Sequence, residues 1–475
     1  MIKKLVIFFF LLSFSFMSYG FSFSKTFNNI ESFLSRHNVF STSKEEKTSE
    51  ALEGTDAHIL VGSKKAQLKS WNTKNGGQVY FVKINELPIL DVRVIFSAGS
   101  AYDGSKKGLA ALTNNLLEDG AGELDADQIA EEFDRLGADF SADASQDMGV
   151  ISLRCLTRQS VLDSAIKLMH QVLVNPTFPQ KAFLREKSRT LKEIIAQKQA
   201  PSILATQYFY KKLYGDQVYA SPVEGYENTV NKITREDAIK FYKKYYVERN
   251  SVIVIVGDIS NDRAKQLVDT LFSGLPAGNK PTPLTPIKPK TQAINYHFDY
   301  PSTQSYLALG YLGITYNNPN YYAFVVGNYI LGGDGLVSRL FDAVRSRNGL
   351  AYSVKSQFDI FQQQGPFYIT LQTANSQIDE ALNVANSVLN DFIVNGPTEE
   401  ELSNAKKHIT GSFLLKLDSN ADIANALVIS GFYHLPLDFY NTYCQKINEV
   451  TSDQIKKVFY DLVVNQKKVV VTVGG

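Results

Sequence analysis

The pattern of apolar and polar positions predicts strands and long helices along most of the chain. Three of the five residues at positions 92–96 (VRVIF) are β-branched, and apolar residues alternate through 148–156, as is typical of strands. Positions 162–174 carry apolar residues at helical spacing and stop at Asn175-Pro176, because proline cannot continue a helix. The charged, amphipathic stretch 183–196 predicts a helix on the surface. We therefore expect an α+β fold with helices packed on one face of a largely antiparallel sheet.

This pattern occurs twice along the chain. The apolar runs 251–257 (SVIVIVG) and 468–474 (KVVVTVG) both end in glycine, and these glycines are 474 − 257 = 217 positions apart. Other pairs of landmarks repeat at nearly the same offset: Ile233-Thr234 with Val450-Thr451, Phe241-Tyr242 with Phe459-Tyr460, Ala165 with Ala381, and Asn175-Pro176 with Asn395-Gly396-Pro397. A near-constant offset over separate landmarks indicates a duplication. It predicts two tandem homologous α/β-sandwich domains that form a clamshell.

Composition also indicates where the domains begin and end. The stretch 276–294 is rich in proline, lysine and threonine, so it can form neither a helix interior nor a central strand and reads as an extended linker. It separates an N-terminal domain, 61–275, from a C-terminal domain, 295–475. Residues 21–60 are polar and uneven, which predicts a flexible N-terminal segment.

The first residues have the order of a targeting signal. Two lysines precede the apolar residues 5–17, and the small residues Ser18 and Gly20 follow. This predicts a signal peptide over 1–20, since the apolar run is short for a membrane span. We expect export to a bacterial periplasm and no stable membrane insertion after signal removal. An uncleaved anchor is the alternative, because Tyr19 makes the cleavage site imperfect.

Charge and cysteine content exclude several classes of function. The 475 residues include 49 basic and 48 acidic side chains, a net charge of +1, which argues against a charge-driven nucleic-acid binder. Two cysteines cannot form a disulfide framework or a four-thiolate metal site. Cys155 and Cys444 are far apart in sequence and are expected to be lone buried thiols.

A glycine-rich segment in the C-terminal domain carries the most specific pattern. Taken alone, the glycines of 331–335 could bind a phosphate, but no Gly-Lys-Ser/Thr follows, so a flexible turn is the simpler interpretation. Ser338-Arg339-Leu340 and then Gly349-Leu350-Ala351-Tyr352-Ser353 follow at a fixed spacing. The whole segment resembles the second domain of the pitrilysin/insulinase zinc peptidases, in the group of the mitochondrial processing peptidases and their bacterial relatives. The resemblance covers about residues 60–475.

The N-terminal domain resembles the same family but departs from it at the metal site. Active members have an H-x-x-E-H motif after a Gly-Leu-Ala that matches residues 108–110 here; its two histidines bind zinc and its glutamate activates water. The five matching residues here are ALTNN, so Ala111 and Asn115 replace the ligands and Asn114 replaces the base. Glu193 takes the place of the third ligand, although a lone glutamate on an amphipathic helix is more often a surface charge.

Histidine is too sparse to rebuild the site elsewhere. The chain has six histidines, and the closest two, His37 and His58, are 58 − 37 = 21 positions apart. No pair is spaced by one helical turn. We therefore expect no metal and no other cofactor in this chain.

Substrate-binding features of the family are retained. In active relatives an arginine and a tyrosine seven positions apart bind substrate and stabilise the anionic tetrahedral intermediate; Arg345 and Tyr352 match this pair. The alternative is a helix-surface cation and an ordinary sheet residue. Residues 137–144 resemble the family's edge strand, to which peptide adds as a further strand. The alternative is an ordinary edge strand, in which the charges of Asp139 and Asp143 prevent pairing with other chains.

The resemblance implies a subunit that is not catalytic alone. It would pair with a homologous subunit carrying H-x-x-E-H, which would supply zinc and base, while this chain binds peptide and supplies Arg345 and Tyr352. Two alternatives stay open: a binding or assembly scaffold without hydrolysis, as in core subunits of respiratory complexes, and an autonomous peptidase with an unconventional metal site.

Overall fold

The computed structural model describes residues 55–61, 64–333 and 336–475. The predicted signal peptide, 1–20, and almost all of the segment 21–60 lie outside the described residues. Among the residues that are described, none of the helices combines the length and the apolar character needed to cross a bilayer.

The N-terminal half is built on a seven-stranded sheet. Its strands are β1 Thr55–Val61, β2 Lys64–Asn72, β3 Gln78–Lys83, β4 Ile89–Phe96, β7 Asp139–Ala144, β8 Gly149–Leu156 and β9 Ser251–Gly257, and a separate two-stranded ribbon pairs β5 Gly120–Ala121 with β6 Leu124–Asp125. The strand order in the sheet is β1-β2-β3-β9-β4-β8-β7, so β7 is an edge strand.

The C-terminal half is built on a five-stranded sheet. Its strands are β10 Ile294–Asp299, β11 Gln304–Leu312, β12 Ala351–Phe358, β13 Pro366–Ala374 and β14 Val469–Gly474. The strand order is β10-β14-β11-β13-β12, so β12 is the edge strand that corresponds to β7.

Fourteen α-helices are present in the described part of the chain. They are α1 Leu109–Asn115, α2 Ala126–Leu136, α3 Gln159–Val174, α4 Gln180–Gln197, α5 Pro201–Tyr214, α6 Glu227–Val230, α7 Arg235–Tyr245, α8 Asn261–Phe272, α9 Tyr321–Asn328, α10 Ile378–Asn395, α11 Glu399–Phe413, α12 Asn420–Phe432, α13 Phe439–Glu449 and α14 Ser452–Val464. Two π-helical segments follow α9, at Tyr329–Gly333 and Phe341–Arg347.

The two sheets confirm the predicted tandem halves. In each, one pair of neighbouring strands is parallel, β3 with β9 and β10 with β14, and the other neighbouring pairs are antiparallel. The order β3-β9-β4-β8-β7 matches β10-β14-β11-β13-β12 strand for strand, and only the hairpin β1-β2 has no counterpart in the described C-terminal half. The α+β class is therefore confirmed together with the duplication.

Helices cover both faces of each sheet, which differs from the predicted one-sided packing. Helix α12 from the C-terminal half packs on β4 and β9, and α5 from the N-terminal half packs on β11 and β14. In β9 all seven residues are buried: Ile253 and Ile255 lie in the core of their own half, and Val254 lies in the core shared with the other half. A continuous apolar run is typical of a strand buried on both faces.

The halves also share buried hydrogen bonds at Asp147. This carboxylate, in the turn between β7 and β8, accepts hydrogen bonds from the Tyr219 hydroxyl at 2.7 Å, the Gln362 backbone N–H at 2.6 Å and the Tyr433 hydroxyl at 3.1 Å. Gln362 and Tyr433 belong to the C-terminal half. Burial raises the pKa of Asp147 to about 6. Because the three donors come from both halves, this carboxylate stabilises the placement of the two halves relative to each other.

Residues 276–293 form neither helix nor strand, yet they pack against the fold. The carbonyls of Pro276 and Ala277 accept hydrogen bonds from the backbone N–H groups of Glu248 and Arg249, at 2.9 and 3.0 Å. Ile287 is buried in a core that α5 shares with the C-terminal sheet. The segment is therefore an extended connection that lies on the surface where the two halves meet.

Candidate functional site

Helix α1, which carries the positions of the degenerate metal motif, is fixed at its start by a buried carboxylate. Asp103 accepts hydrogen bonds from the backbone N–H groups of Gly108 and Ala110, both at 2.7 Å. Burial raises the pKa of Asp103 to about 7. Gly108 has φ +96°, and a Cβ there would lie 2.4 Å from the Glu224 carbonyl oxygen, so only glycine fits.

Two of the three motif positions on α1, Ala111 and Asn114, are filled by buried side chains, and Asn115 is half-buried. Ala111 is buried and offers no ligand atom. Asn114 is fully buried, and its Oδ1 accepts a hydrogen bond from the Tyr246 hydroxyl at 2.6 Å. Its Nδ2 has no hydrogen-bond partner among the described residues. The position of the family's general base is thus a neutral amide inside the core of the N-terminal half.

Asn115 contacts a glutamate that the sequence had not singled out. Its Nδ2 donates to Glu186 Oε1 at 2.9 Å, and Glu186, on α4, is buried. Arg189 donates to Glu186 through Nε at 2.8 Å and through Nη2, and to Glu193 through Nη1 at 2.8 Å. The hydrogen bonds to Glu186 raise the pKa of Arg189.

The predicted substitute for the third ligand is therefore a member of an ion pair. Glu193 is 46% exposed and is held by Arg189, while Glu186 is the carboxylate that reaches α1. Glu186, Arg189 and Glu193 follow one another at intervals of three and four residues, which places them on one face of α4. This spacing was visible in the sequence and could have identified the cluster.

The residues present do not fit a zinc ion. Ala111 supplies no donor, the Asn115 amide is turned to donate, and the Arg189 guanidinium already pairs with both carboxylates. Within the described ranges no group of three or more His, Cys, Asp or Glu side chains is arranged to hold a metal. Cys155 and Cys444 are both free thiols, the first buried and the second half-buried.

Arg345 and Tyr352 lie together in the C-terminal half. Arg345 is in the π-helical segment Phe341–Arg347, and Tyr352 stands near the start of β12, where the register with β13 shifts between Ala351 and Ser353. The Arg345 Cζ lies 4.7 Å from the centre of the Tyr352 ring and 4.8 Å from that of Phe341. Such stacking holds the guanidinium without neutralising it. Tyr352 is 79% exposed.

The neighbouring arginines are engaged differently. Arg339 pairs with Glu401 at 2.7 Å and Asp391 at 3.0 Å, and Arg347 pairs with Asp342. No carboxylate of the described residues forms an ion pair with Arg345. Of these three cations, Arg345 keeps an uncompensated charge beside an exposed phenol.

The glycines before this segment are fixed by close packing, contrary to the expectation of a flexible turn. A Cβ on Gly332 would lie 2.5 Å from the Ser356 backbone nitrogen of β12, and one on Gly333 would lie 2.8 Å from Asn328 Nδ2. Residues 334 and 335 lie outside the described residues. Gly332 therefore lets the chain approach β12 closely, and Gly333 lets it approach Asn328 of α9, just before the arginine segment.

The predicted peptide-binding strand lies at the sheet edge. Strand β7 pairs with β8 on one side only. The backbone N–H of Ala142 donates to Glu118 Oε1 at 2.6 Å, so this N–H points away from β8. No hydrogen bond or ion pair in the described part of the chain joins Arg345 or Tyr352 to the α1 positions. The two groups are separate clusters within this chain.

Comparison with known proteins identifies similar chains. The model of the insulinase family, peptidase family M16, matches residues 82–226, and the model of the peptidase M16 inactive domain matches residues 232–409. A crystal structure titled as a peptidase M16 inactive domain, from Pseudomonas fluorescens, is 37% identical with a TM-score of 0.83, covering 86% of this chain and 97% of that one.

Two curated relatives carry different names. An uncharacterized zinc protease of Rickettsia felis is 27% identical over 344 residues, which is 72% of this chain and 82% of that protein. A protein of Helicobacter pylori named non-peptidase homolog YmxG is 26% identical over 379 residues, 78% of this chain and 85% of that protein.

Proposed function

This chain belongs to the insulinase family, peptidase family M16, and on that premise we propose that it is the zinc-free subunit of a heteromeric peptidase. It binds peptide and supplies Arg345 and Tyr352 to the zinc site of a homologous H-x-x-E-H subunit. The observation that carries this proposal is a contrast between the metal-motif positions and the Arg345–Tyr352 pair of the same chain. At the metal positions Ala111 is buried and both asparagines are hydrogen-bonded within the fold, whereas Tyr352 is exposed and Arg345 lacks a carboxylate partner among the described residues.

The chemistry of the pair suits an acyl-transfer transition state. The Arg345 Cζ lies 4.7 Å from the centre of the Tyr352 ring. The guanidinium and the phenol can both donate hydrogen bonds to an oxyanion that forms when water attacks a peptide carbonyl. Tyr352 is exposed and Arg345 is half-buried, so a second molecule can reach the pair from the Tyr352 side. The water-activating groups come from the partner, since this chain has an alanine and two amides at the corresponding positions.

The test is reconstitution with an H-x-x-E-H homologue from the same bacterium. Peptidase activity on a quenched fluorescent peptide should appear only with both subunits, and Arg345→Ala should lower kcat/KM by about 100-fold, the usual cost of an oxyanion donor. Tyr352→Phe should lower it by about tenfold or more. Arg347→Ala is the matched control, because Arg347 lies in the same segment but is paired with Asp342.

Two outcomes would sink the proposal. Full activity of the partner alone would leave this chain no catalytic contribution, and a complex that is unaffected by Arg345→Ala would favour a scaffold. Stoichiometric zinc in the purified chain would instead favour an autonomous peptidase.

We also propose that the complex acts after export to the periplasm. The basic residues and apolar run within positions 1–20 support this placement. Fractionation of cells expressing the full chain tests it, and recovery in the cytoplasm at full length would contradict it.

A further inference from the structure

The edge strand β7 offers its outer side to a peptide, but one of its backbone donors is already engaged. Strand addition requires outward N–H groups on the edge strand to bond with carbonyls of the incoming chain. The Ala142 N–H is outward and close to the middle of the strand, and it donates to Glu118 at 2.6 Å.

Glu118 reaches this position from the one-turn 3₁₀ segment Leu116–Asp119, directly after α1. No lysine, arginine or histidine in the described ranges forms an ion pair with it. The nearby charged groups are the carboxylates of Asp143 on β7, Asp119 on its own segment and Glu186 on α4. Within the described part of the chain, the one hydrogen bond of its side chain is the one to the edge strand.

A cavity of about 540 Å³ opens beside this contact. It is lined by Glu118, by Ile129 and Phe133 of α2, by residues 138–141 and by Ala421 of the C-terminal half, and it extends over the sheet face to Arg93 of β4 and Arg154 of β8. It faces both the edge strand and the start of α12. An extended peptide entering it would meet the Glu118 carboxylate where its own carbonyl should bond.

We propose that Glu118 is an internal competitor for peptide: its carboxylate occupies the position of a substrate carbonyl at Ala142, and strand addition displaces it. This inference rests on the proposed peptide-binding function. Strand addition must break the bond to Ala142, so displacement lowers peptide affinity, and most strongly where the Glu118 carboxylate is ionised. The contact therefore sets the affinity of the edge strand for peptide.

Binding of fluorescein-labelled oxidised insulin B chain, an unfolded peptide, measures this competition by fluorescence anisotropy on the full chain. Glu118→Ala should tighten binding by about tenfold, which is about 1.4 kcal/mol. Glu118→Gln should tighten it less, because its amide oxygen still accepts from Ala142. Glu131→Ala, an exposed acid on α2, removes the same charge away from the strand and should leave binding unchanged.

Amide hydrogen exchange provides an independent readout. In Glu118→Ala the Ala142 amide should exchange faster than in the wild type, and added peptide should protect it again. If peptide binds wild type and Glu118→Ala equally, the competitor role is overturned while peptide binding stands. If no variant binds the peptide, the peptide-binding part of the proposed function fails as well.

Discussion

The two halves share one strand order, yet their functional positions have opposite environments. In the N-terminal half the Asn114 Oδ1 accepts a hydrogen bond from Tyr246 inside the core, and Asn115 donates to Glu186, which Arg189 also binds. In the C-terminal half Arg345 stacks on Tyr352, which is 79% exposed. The metal-motif positions are thus enclosed by the protein's own side chains, whereas Arg345 has no carboxylate partner among the described residues.

The difference is instructive because buried polar groups must find partners. An emptied metal site would leave Glu186 buried without a counter-charge, which is costly. The Arg189 guanidinium supplies that charge without a metal. Arg345 is half-buried and stacks on the Phe341 and Tyr352 rings, so its lack of a carboxylate partner costs less than it would in the core.

The largest expected effect comes from rebuilding the metal site against Arg189. The triple variant Ala111→His, Asn114→Glu, Asn115→His restores the motif, but the neighbouring guanidinium opposes a divalent cation. Adding Arg189→Gln should tighten zinc binding by about 10- to 100-fold, measured by competition with a chromophoric chelator.

Arg185→Gln in the same triple background is the matched control, since Arg185 pairs with Asp119 instead. Equal zinc affinity with and without Arg189 would show that the guanidinium does not take the charge-balancing role of the metal. Circular dichroism should confirm that each variant is folded.

A smaller effect is expected when one tyrosine hydroxyl is removed from each half. Tyr246→Phe removes the hydrogen bond to the buried Asn114 and should lower the free energy of unfolding by about 1–3 kcal/mol. Tyr352→Phe removes an exposed hydroxyl and should change it by less than about 0.5 kcal/mol. Urea denaturation measures both, and equal effects would erase the contrast between a closed and an open site.

A further expected effect concerns pH and again falls mainly on the N-terminal half. Burial raises the pKa of Asp103 and Glu118 to about 7 and of Asp143 and Asp147 to about 6. A carboxyl whose pKa is higher in the folded than in the unfolded state stabilises the fold as pH falls through the folded value. Each contributes up to about 1.4 kcal/mol per pH unit between its two pKa values. His434, whose pKa burial lowers, acts in the opposite direction.

Thermal unfolding should therefore give a higher Tm at pH 5.5 than at pH 7.5. Asp147→Asn should reduce this difference, because one of the four carboxyls is removed. A Tm that falls between pH 7.5 and 5.5 would contradict the assignment of these carboxyls as buried and uncompensated.

The sequence by itself determined the duplication, the two-sheet architecture and the loss of the zinc motif. Each depends on residue type at fixed spacing: the paired apolar strands ending at Gly257 and Gly474, and ALTNN at 111–115, can be read along the chain. The same holds for Arg345 and Tyr352, whose proximity follows from the motif that contains them.

Only the tertiary structure decided what surrounds these residues. The contacts of Asn115 with Glu186, of Glu118 with Ala142 and of Asp147 with Tyr433 join residues 71, 24 and 286 positions apart. Local helix and strand propensities carry no information about such pairs. They form because sheet packing, and the packing of a helix from each half on the sheet of the other, bring distant segments together. Buried polar groups then bond to whichever partners the packed fold supplies, and here those partners close one half and leave the other open.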